Sequence, residues 1–421
     1  MKTRTLRILS GFLLCACNWA ATFAATIPAA PPELPPTEMV ARVIRAAPSV
    51  HAAASQIRAE EANRQRLEAG THEWSIRLGR QQLKARSSDN SEQRYKEWNA
   101  DIERPIRLPG KAAMDAELGA KGVAIAEIAH GDMLHETSRK LLKAWFIWLK
   151  ENVSVEQWQA QMQLLEKQSG AVQRRQQLGD AARLETILVN AAKAQAEAQW
   201  IQSTVRLSSA SEDLRRRFPE LPLIKPLTIS EPQPITGNAK DWIEAILEHS
   251  HELGIARGET QRAHMLAGRS EQDRLPDPTL GVHFASERGG EDRIFGAYIA
   301  IPLPGEGRRA QSNAHQALAS VANNQEADVL QRITAEAAVL VQNAEAAFTI
   351  WQAGKQAASN LNQAAEMTAR AYQLGEGSLS DLLQSRRQAH EAQLVARLLQ
   401  LEALELRYRL MLDAHQLWDL D

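Results

Sequence analysis

Histidines and carboxylates are the groups in this 421-residue chain whose types and spacing could do chemistry. His249 and His251 lie between Glu248 and Glu252, and His130 and His135 flank Asp132. Such groups can ligate a divalent metal, but two imidazoles on one helix share an ion only at i, i+4 spacing. Neither pair has that spacing, so they read as soluble polar histidines and no metal site is expected. The sequence also lacks a phosphate-cradling glycine loop, a nucleophile elbow and a zinc-protease helix. The expectation is a protein that is not an enzyme and needs no cofactor. Charge is near balance, formally −2, and no dense basic stripe marks nucleic acid as a partner.

A second set of residues stands out by repetition. Leu178, Gly179 and Asp180 interrupt a helical run from Lys111 to Phe218 that contains no proline. Leu374, Gly375, Glu376 and Gly377 interrupt another, from Gly305 to Asp421. Glycine supplies the left-handed backbone that ends a helix, and Ser378 or Ser380 can cap the next one. Each run therefore reads as two long antiparallel helices meeting at a tight tip. The acidic residues there (Asp180, Glu185, Glu376 and Asp381) have two readings. They begin helices, where a carboxylate suits the dipole, or they form a charged ring at an opening.

The elements that position these tips follow from the rest of the chain. Lys2, Arg4 and Arg7 precede an apolar run, Ile8 to Cys17, and then Thr22-Phe23-Ala24 offers small residues where a signal peptidase cuts. This is the pattern of a secretory signal, residues 1–24, too short to span a membrane. Leu14-Cys15-Ala16-Cys17 also resembles a lipoprotein box, in which Cys17 would be acylated and the signal would be residues 1–16. Cleavage after Ala24 removes both cysteines and shifts the formal charge from −2 to about −5. Residues 25–36, rich in Pro and Ala, are expected to be an extended leader.

A first repeat is expected over residues 37–218 and a second over 241–421, joined by a proline-marked connector at 219–240. Each begins with a helix, the first continuing from Thr37 past Pro48 to about Ala69. Each then changes to period two. In residues 73–104, Trp74, Ile76 and Leu78, and then Trp98, Ala100 and Ile102, alternate with polar residues. In residues 279–302, Leu280, Val282 and Phe284 on one strand and Phe295, Ala297 and Ile299 on the next do the same. Strand pairs with one apolar face are what a lipid-facing β-barrel requires. Leu108-Pro109-Gly110 recurs as Leu303-Pro304-Gly305, and Gln177-Leu178-Gly179 as Gln373-Leu374-Gly375, so the long helical hairpin is duplicated. From Gly110 to the first tip a continuous helix would be roughly 100 Å long, far beyond a globular domain. Four strands cannot close around a lumen, and open edges in lipid leave backbone groups unpaired, so oligomerisation is required.

With paired strands, paired long helices and two tips in place, the chain resembles the TolC family of outer-membrane efflux channels. Arg274-Leu275-Pro276-Asp277-Pro278-Thr279-Leu280-Gly281 is similar to the third-strand entry of its CzcC-like heavy-metal branch. Ile301-Pro302-Leu303-Pro304-Gly305 and Ala371-Tyr372-Gln373-Leu374-Gly375-Glu376-Gly377 are similar to family signatures. His251 departs from the family, standing where the first repeat has Pro48. The resemblance implies a mainly α chain with a small transmembrane β part: a tandem-repeat protomer of a trimeric β-barrel and a long α-helical periplasmic barrel. It further implies a homotrimer in the outer membrane of a Gram-negative bacterium, with most of the chain in the periplasm. Leu178, Gly179, Asp180, Leu374, Gly375 and Glu376 would dock a periplasmic adaptor protein, which couples the duct to an inner-membrane transporter. The cargo implied by the branch is a divalent heavy-metal cation. A TolC-like duct for drugs is the alternative within the class, and a secreted structural coiled coil is the alternative outside it.

Overall fold

The computed structural model describes residues 31–86, 88–89 and 91–420. The expected signal segment and Cys17 lie outside the described residues. Two copies of one plan follow each other. The first has α1 (Thr37–Arg45), α2 (Pro48–Ala69), β1 (Ser75–Arg86), β2 (Glu92–Pro105), α3 (Lys111–Gln177) and α4 (Arg183–Arg217). The second has α5 (Ala239–Glu248), α6 (His251–Gln272), β3 (Thr279–Glu287), β4 (Asp292–Ala300), α7 (Glu306–Gln373) and α8 (Leu379–Asp413). The duplication extends to length: α3 and α7 have 67 and 68 residues, and α4 and α8 have 35 each.

The opening helix of each repeat is broken, which corrects the expectation of one helix from Thr37 to Ala69. Proline has no N–H to give the preceding turn and belongs at a helix start, so Pro48 begins α2 rather than continuing α1. The second repeat breaks at the same place without proline. There Ser250 accepts a hydrogen bond from the Leu253 N–H at 3.2 Å and caps α6.

At about 1.5 Å per residue α3 and α7 each run about 100 Å, and no shorter helix covers such a length alone. Two shorter helices cover it end to end. Near the strands α3 lies against α2, so closely that a Cβ on Gly119 would come within 2.8 Å of the Arg64 Cα. Towards the tip it lies against α4, where Lys193 pairs with Glu166 at 3.0 Å and Ser169 donates to Asn190 at 2.6 Å. In the second repeat Ser312 donates to Glu271 at 2.6 Å across α7 and α6, and Gly354 of α7 packs on Leu399 of α8.

The main core is a collar around the middle of α3. Trp145, Phe146, Trp148 and Leu149 meet Val40 and Ile44 of α1, Leu214 of α4, and Leu401, Leu404 and Tyr408 of α8. The chain end returns here, because residues 414–420 leave the helix and bury Trp418. The described part of the leader, residues 31–36, is packed as well, which corrects its reading as extended there. The Leu34 N–H donates to the Pro31 carbonyl at 2.9 Å, and Leu34 and Glu33 are both buried. Glu33 receives the Tyr408 hydroxyl and the Ser230 hydroxyl, the latter at 2.9 Å, while its carbonyl accepts the Trp145 indole N–H at 2.8 Å. A buried carboxylate needs such donors, and these fasten the leader, the connector, α3 and α8 together.

The histidines gather here too. His135 of α3, His249 and His251 at the α5–α6 break, and His415 beyond α8 have ring centroids 5.1–6.1 Å apart. They are a cluster of stacked and tilted rings joining the two repeats, in which His249 stays exposed, although no described group of three or more ligands could hold a metal ion. Burial and the neighbouring Arg139 hold the His135 pKa down to about 4, and burial alone does the same to His390 between α3 and α8. Both are neutral when folded, whereas the unfolded chain takes up protons near pH 6.5. Their contribution is complete above that pH and is lost as pH falls towards 4. Between pH 7 and pH 5 each should cost about 2 kcal/mol. Thermal unfolding in detergent should show a lower Tm at pH 5, and the His135→Gln, His390→Gln double variant should show a smaller drop. Equal drops would contradict the assignment.

Candidate functional site

Two surfaces carry the features that a duct would use: a four-stranded sheet at one end of the long helices, and the two tips at the other. The sheet is antiparallel throughout, in the order β1-β2-β3-β4. Its register aligns the apolar residues of all four strands. Ile76 is opposite Ile102, which is opposite Val282, which is opposite Ala297. Leu78, Ala100, Phe284 and Phe295 form the next row, the two phenylalanine rings 4.8 Å apart. Trp74, Leu280 and Ile299 lie below them and Trp98 above, by the same alternation. The face is open: Trp74 is 66% exposed, Leu78 78% and Phe295 69%. Apolar surface of this extent is rarely left to water. Among the described residues no helix is long and apolar enough to cross a membrane.

The opposite face is polar and acidic. Glu97, Asp101, Glu103, Glu287 and Asp292 share it, against Arg77 as the strand arginine there. These carboxylates are held by neighbours across the sheet. Asp101 meets His283 Nδ1 at 2.6 Å, Glu103 accepts from the Tyr298 hydroxyl at 2.7 Å, and Glu97 accepts from Gln81 at 2.9 Å. The expected division of Trp74, Ile76 and Leu78 from Arg77, Asp101 and Glu103 is therefore the division the register makes.

Sheet and helices are joined through Asp277, in the segment between α6 and β3. One of its oxygens takes Lys111 Nζ at 2.9 Å and the Leu108 N–H at 3.0 Å, and the other meets His72 Nε2 at 2.9 Å. Burial alone would raise this carboxyl. Lys111, His72 and the Leu108 N–H outweigh it and hold the pKa down to about 2. Lys111 is itself buried and also reaches the Leu275 carbonyl at 2.7 Å. One aspartate thus ties the start of α3 and the ends of both strand pairs, which gives the Arg274–Pro278 motif a structural role.

At the far end the two tips have the same backbone. Gly179 and Gly375 sit at φ of +79° and +83°, the left-handed region where glycine carries no steric cost. The Asp180 N–H then reaches back to the Arg175 carbonyl at 2.8 Å, and the Glu376 N–H to the Ala371 carbonyl at 2.9 Å. Each closure leaves a leucine outside, Leu178 at 84% and Leu374 at 68% exposure. Gly377 is not left-handed, but a Cβ there would press on the Tyr372 backbone N at 3.3 Å.

The four acidic tip residues divide. Asp381 completes the α8 cap, its N–H donating to the Ser378 oxygen at 3.1 Å and its carboxylate accepting that hydroxyl at 2.7 Å. Glu185 holds the same place in the first turn of α4. Asp180 and Glu376 lie in the turns themselves. Asp180 pairs with Arg175 at 2.9 Å, whereas Glu376 makes no ion pair among the described residues. Arg175 also donates to the Tyr372 hydroxyl at 2.7 Å and covers the tyrosine ring at 5.6 Å, so it clasps one tip to the other. Below the clasp Val172, Val189, Leu379 and Leu382 form a small core. Arg175 was not singled out by sequence, because only the folded pair of hairpins brings it to Tyr372.

The sequence matches no family model and no curated protein. The fold matches solved structures over nearly its whole length. The outer membrane protein VceC of Vibrio cholerae aligns at a TM-score of 0.71 with 17% identity, over 90% of this chain and 95% of that one. CusC, whose structures concern transmembrane channel formation, aligns at 0.75 with 11% identity, over 90% and 91%. The MtrE outer membrane channel of Neisseria gonorrhoeae, in its open state, aligns at 0.69 with 14% identity, over 91% and 90%. The chain has the fold of an outer-membrane channel protomer of the TolC type.

Proposed function

We propose that the protein is the outer-membrane duct of a tripartite efflux pump and works as a homotrimer. The observation that carries this is the sheet, which ends in two unpaired edges and exposes an apolar face to its surroundings. In lipid those edges must be paired, and copies of the same sheet supply the missing strands. Trp74, Trp98 and Phe295 then anchor the apolar face at the membrane, and the long helices extend about 100 Å into the periplasm.

Energy comes from an inner-membrane transporter, and the duct opens where the adaptor protein docks. Leu178 and Leu374 offer the apolar contact there, and Asp180, Glu185, Glu376 and Asp381 the acidic one. Arg175 keeps the tips together. Replacing Arg175 with Ala and Tyr372 with Phe should loosen them while leaving assembly intact. Cells with the variant should become several-fold more sensitive to a large antibiotic normally excluded by the outer membrane, without the pump. Unchanged sensitivity and unchanged single-channel conductance would contradict a gating role.

The cargo is a divalent heavy-metal cation. Support comes from the carboxylates on the inner face of the sheet and from the likeness of the Arg274–Gly281 segment to the CzcC-like branch. Carboxylate rings favour cations in a pore. A deletion strain should lose resistance to cobalt, zinc, cadmium or nickel and keep its resistance to drugs. Sensitivity to drugs alone would refute the metal assignment.

A further inference from the structure

The two strand pairs are unequal. β1 has 12 residues and β2 has 14, whereas β3 and β4 have 9 each. The β3–β4 ladder ends at Glu287 opposite Asp292, level with Gln81 and Glu97. Beyond that level the β1–β2 ladder continues from Gln82 opposite Lys96 to Arg86 opposite Glu92. The extra pairs carry the ribbon about 17 Å past its neighbours, on the side away from the helices.

The extension changes the chemistry of the apolar face. Above Leu78, the same alternation places Arg80, Gln82, Lys84 and Arg86 on that face of β1. Above Trp98 it places Lys96, Arg94 and Glu92 on that face of β2. Arg293 of β4 lies level with Arg80, since Arg80 is opposite Trp98, Trp98 opposite Ser286 and Ser286 opposite Arg293. Six cations thus follow the aromatic border, and Glu92 is the one carboxylate among the described strand residues of this face. Lys84 stands directly opposite Arg94, and like charges so placed weaken a strand pair. Among the described residues Arg80, Lys84, Lys96 and Arg293 make no ion pair, and Arg94 meets Glu92 only at 3.9 Å. The inner face at these levels carries no such excess of cations, so the stripe does not serve a cationic cargo.

We propose that this basic stripe binds the phosphates of lipid headgroups at the outer surface of the membrane. It rests on the reading of the sheet as a membrane barrel. The stripe begins where the apolar band stops, which is where headgroups lie, and its charge is opposite to theirs. Anions between Lys84 and Arg94 would relieve the repulsion that the register builds in.

The test uses the full chain, reconstituted in vesicles of phosphatidylcholine mixed with lipid A, a glycolipid bearing two phosphates. The lipid that stays bound after detergent extraction is then measured. Wild-type protein should retain lipid A over phosphatidylcholine at least tenfold, given about fivefold per cation near a charged surface. The Arg80→Gln, Lys84→Gln, Arg94→Gln, Lys96→Gln variant should lose the enrichment, and 500 mM NaCl should reduce it in the wild type. Added inorganic phosphate at 20 mM should leave it unchanged. Equal enrichment in the variant, or suppression by free phosphate, would overturn the proposal. Alkaline extraction of both proteins from phosphatidylcholine vesicles keeps the two readings apart. If both resist extraction but show no enrichment, the lipid proposal alone fails, and if neither resists, the barrel reading fails first.

Discussion

Backbone hydrogen bonding at the edges of one small sheet governs the rest of this structure. Among the described residues β1 and β4 are the sheet's edges, each leaving a row of N–H and C=O groups without a strand partner, beside a face of Trp, Leu, Ile and Phe. In water such a sheet would invite aggregation, and in lipid each unpaired group costs several kcal/mol. The constraint is met when identical sheets join edge to edge. Everything below the sheet then has to be compatible with copies arranged around an axis, and long helices lying side by side are. Asp277 and Lys111 fix how the helices leave the sheet, and the Glu33 collar fixes their middle.

Duplication is the economical route to such a protomer. The two halves share helix lengths and tip backbones almost residue for residue, because both must reach the same far end from the same sheet. They differ where that requirement is absent. The outer hairpins are unequal, the α1–α2 break uses Pro48 while the α5–α6 break uses a serine cap, and among the described residues Asp180 is ion-paired while Glu376 is not. The hairpin and tip differences lie at exposed surfaces, whereas the α1–α2 break packs into the core, with Ile44, Ala47 and Val50 buried.

Much of this was legible in the sequence. Period-two alternation around Trp74 and Trp98 marked the strands and their faces, since a one-residue slip would reverse every side chain. The recurrence of Leu-Pro-Gly and Gln-Leu-Gly marked the helical hairpins and both tips. What escaped was tertiary. Glu33 and Leu34 sit in a proline-rich segment that looks unstructured, and only their burial against Trp145 and Tyr408 shows otherwise. His135, His249, His251 and His415 come from different elements, so no local spacing could announce their meeting. The same holds for Arg175 and Tyr372. The unequal hairpins were readable too, since Pro48 and His251 stand 203 positions apart while Leu108 and Leu303, beyond the strands, stand 195 apart.

The central claim is that this chain becomes a channel only as an assembly whose sheets complete one another. The most direct measurement is the mass of the protein extracted in mild detergent from fractionated outer membranes. The account predicts that it is recovered there as a complex of three copies. Recovery as a soluble monomer in the periplasmic fraction would contradict it.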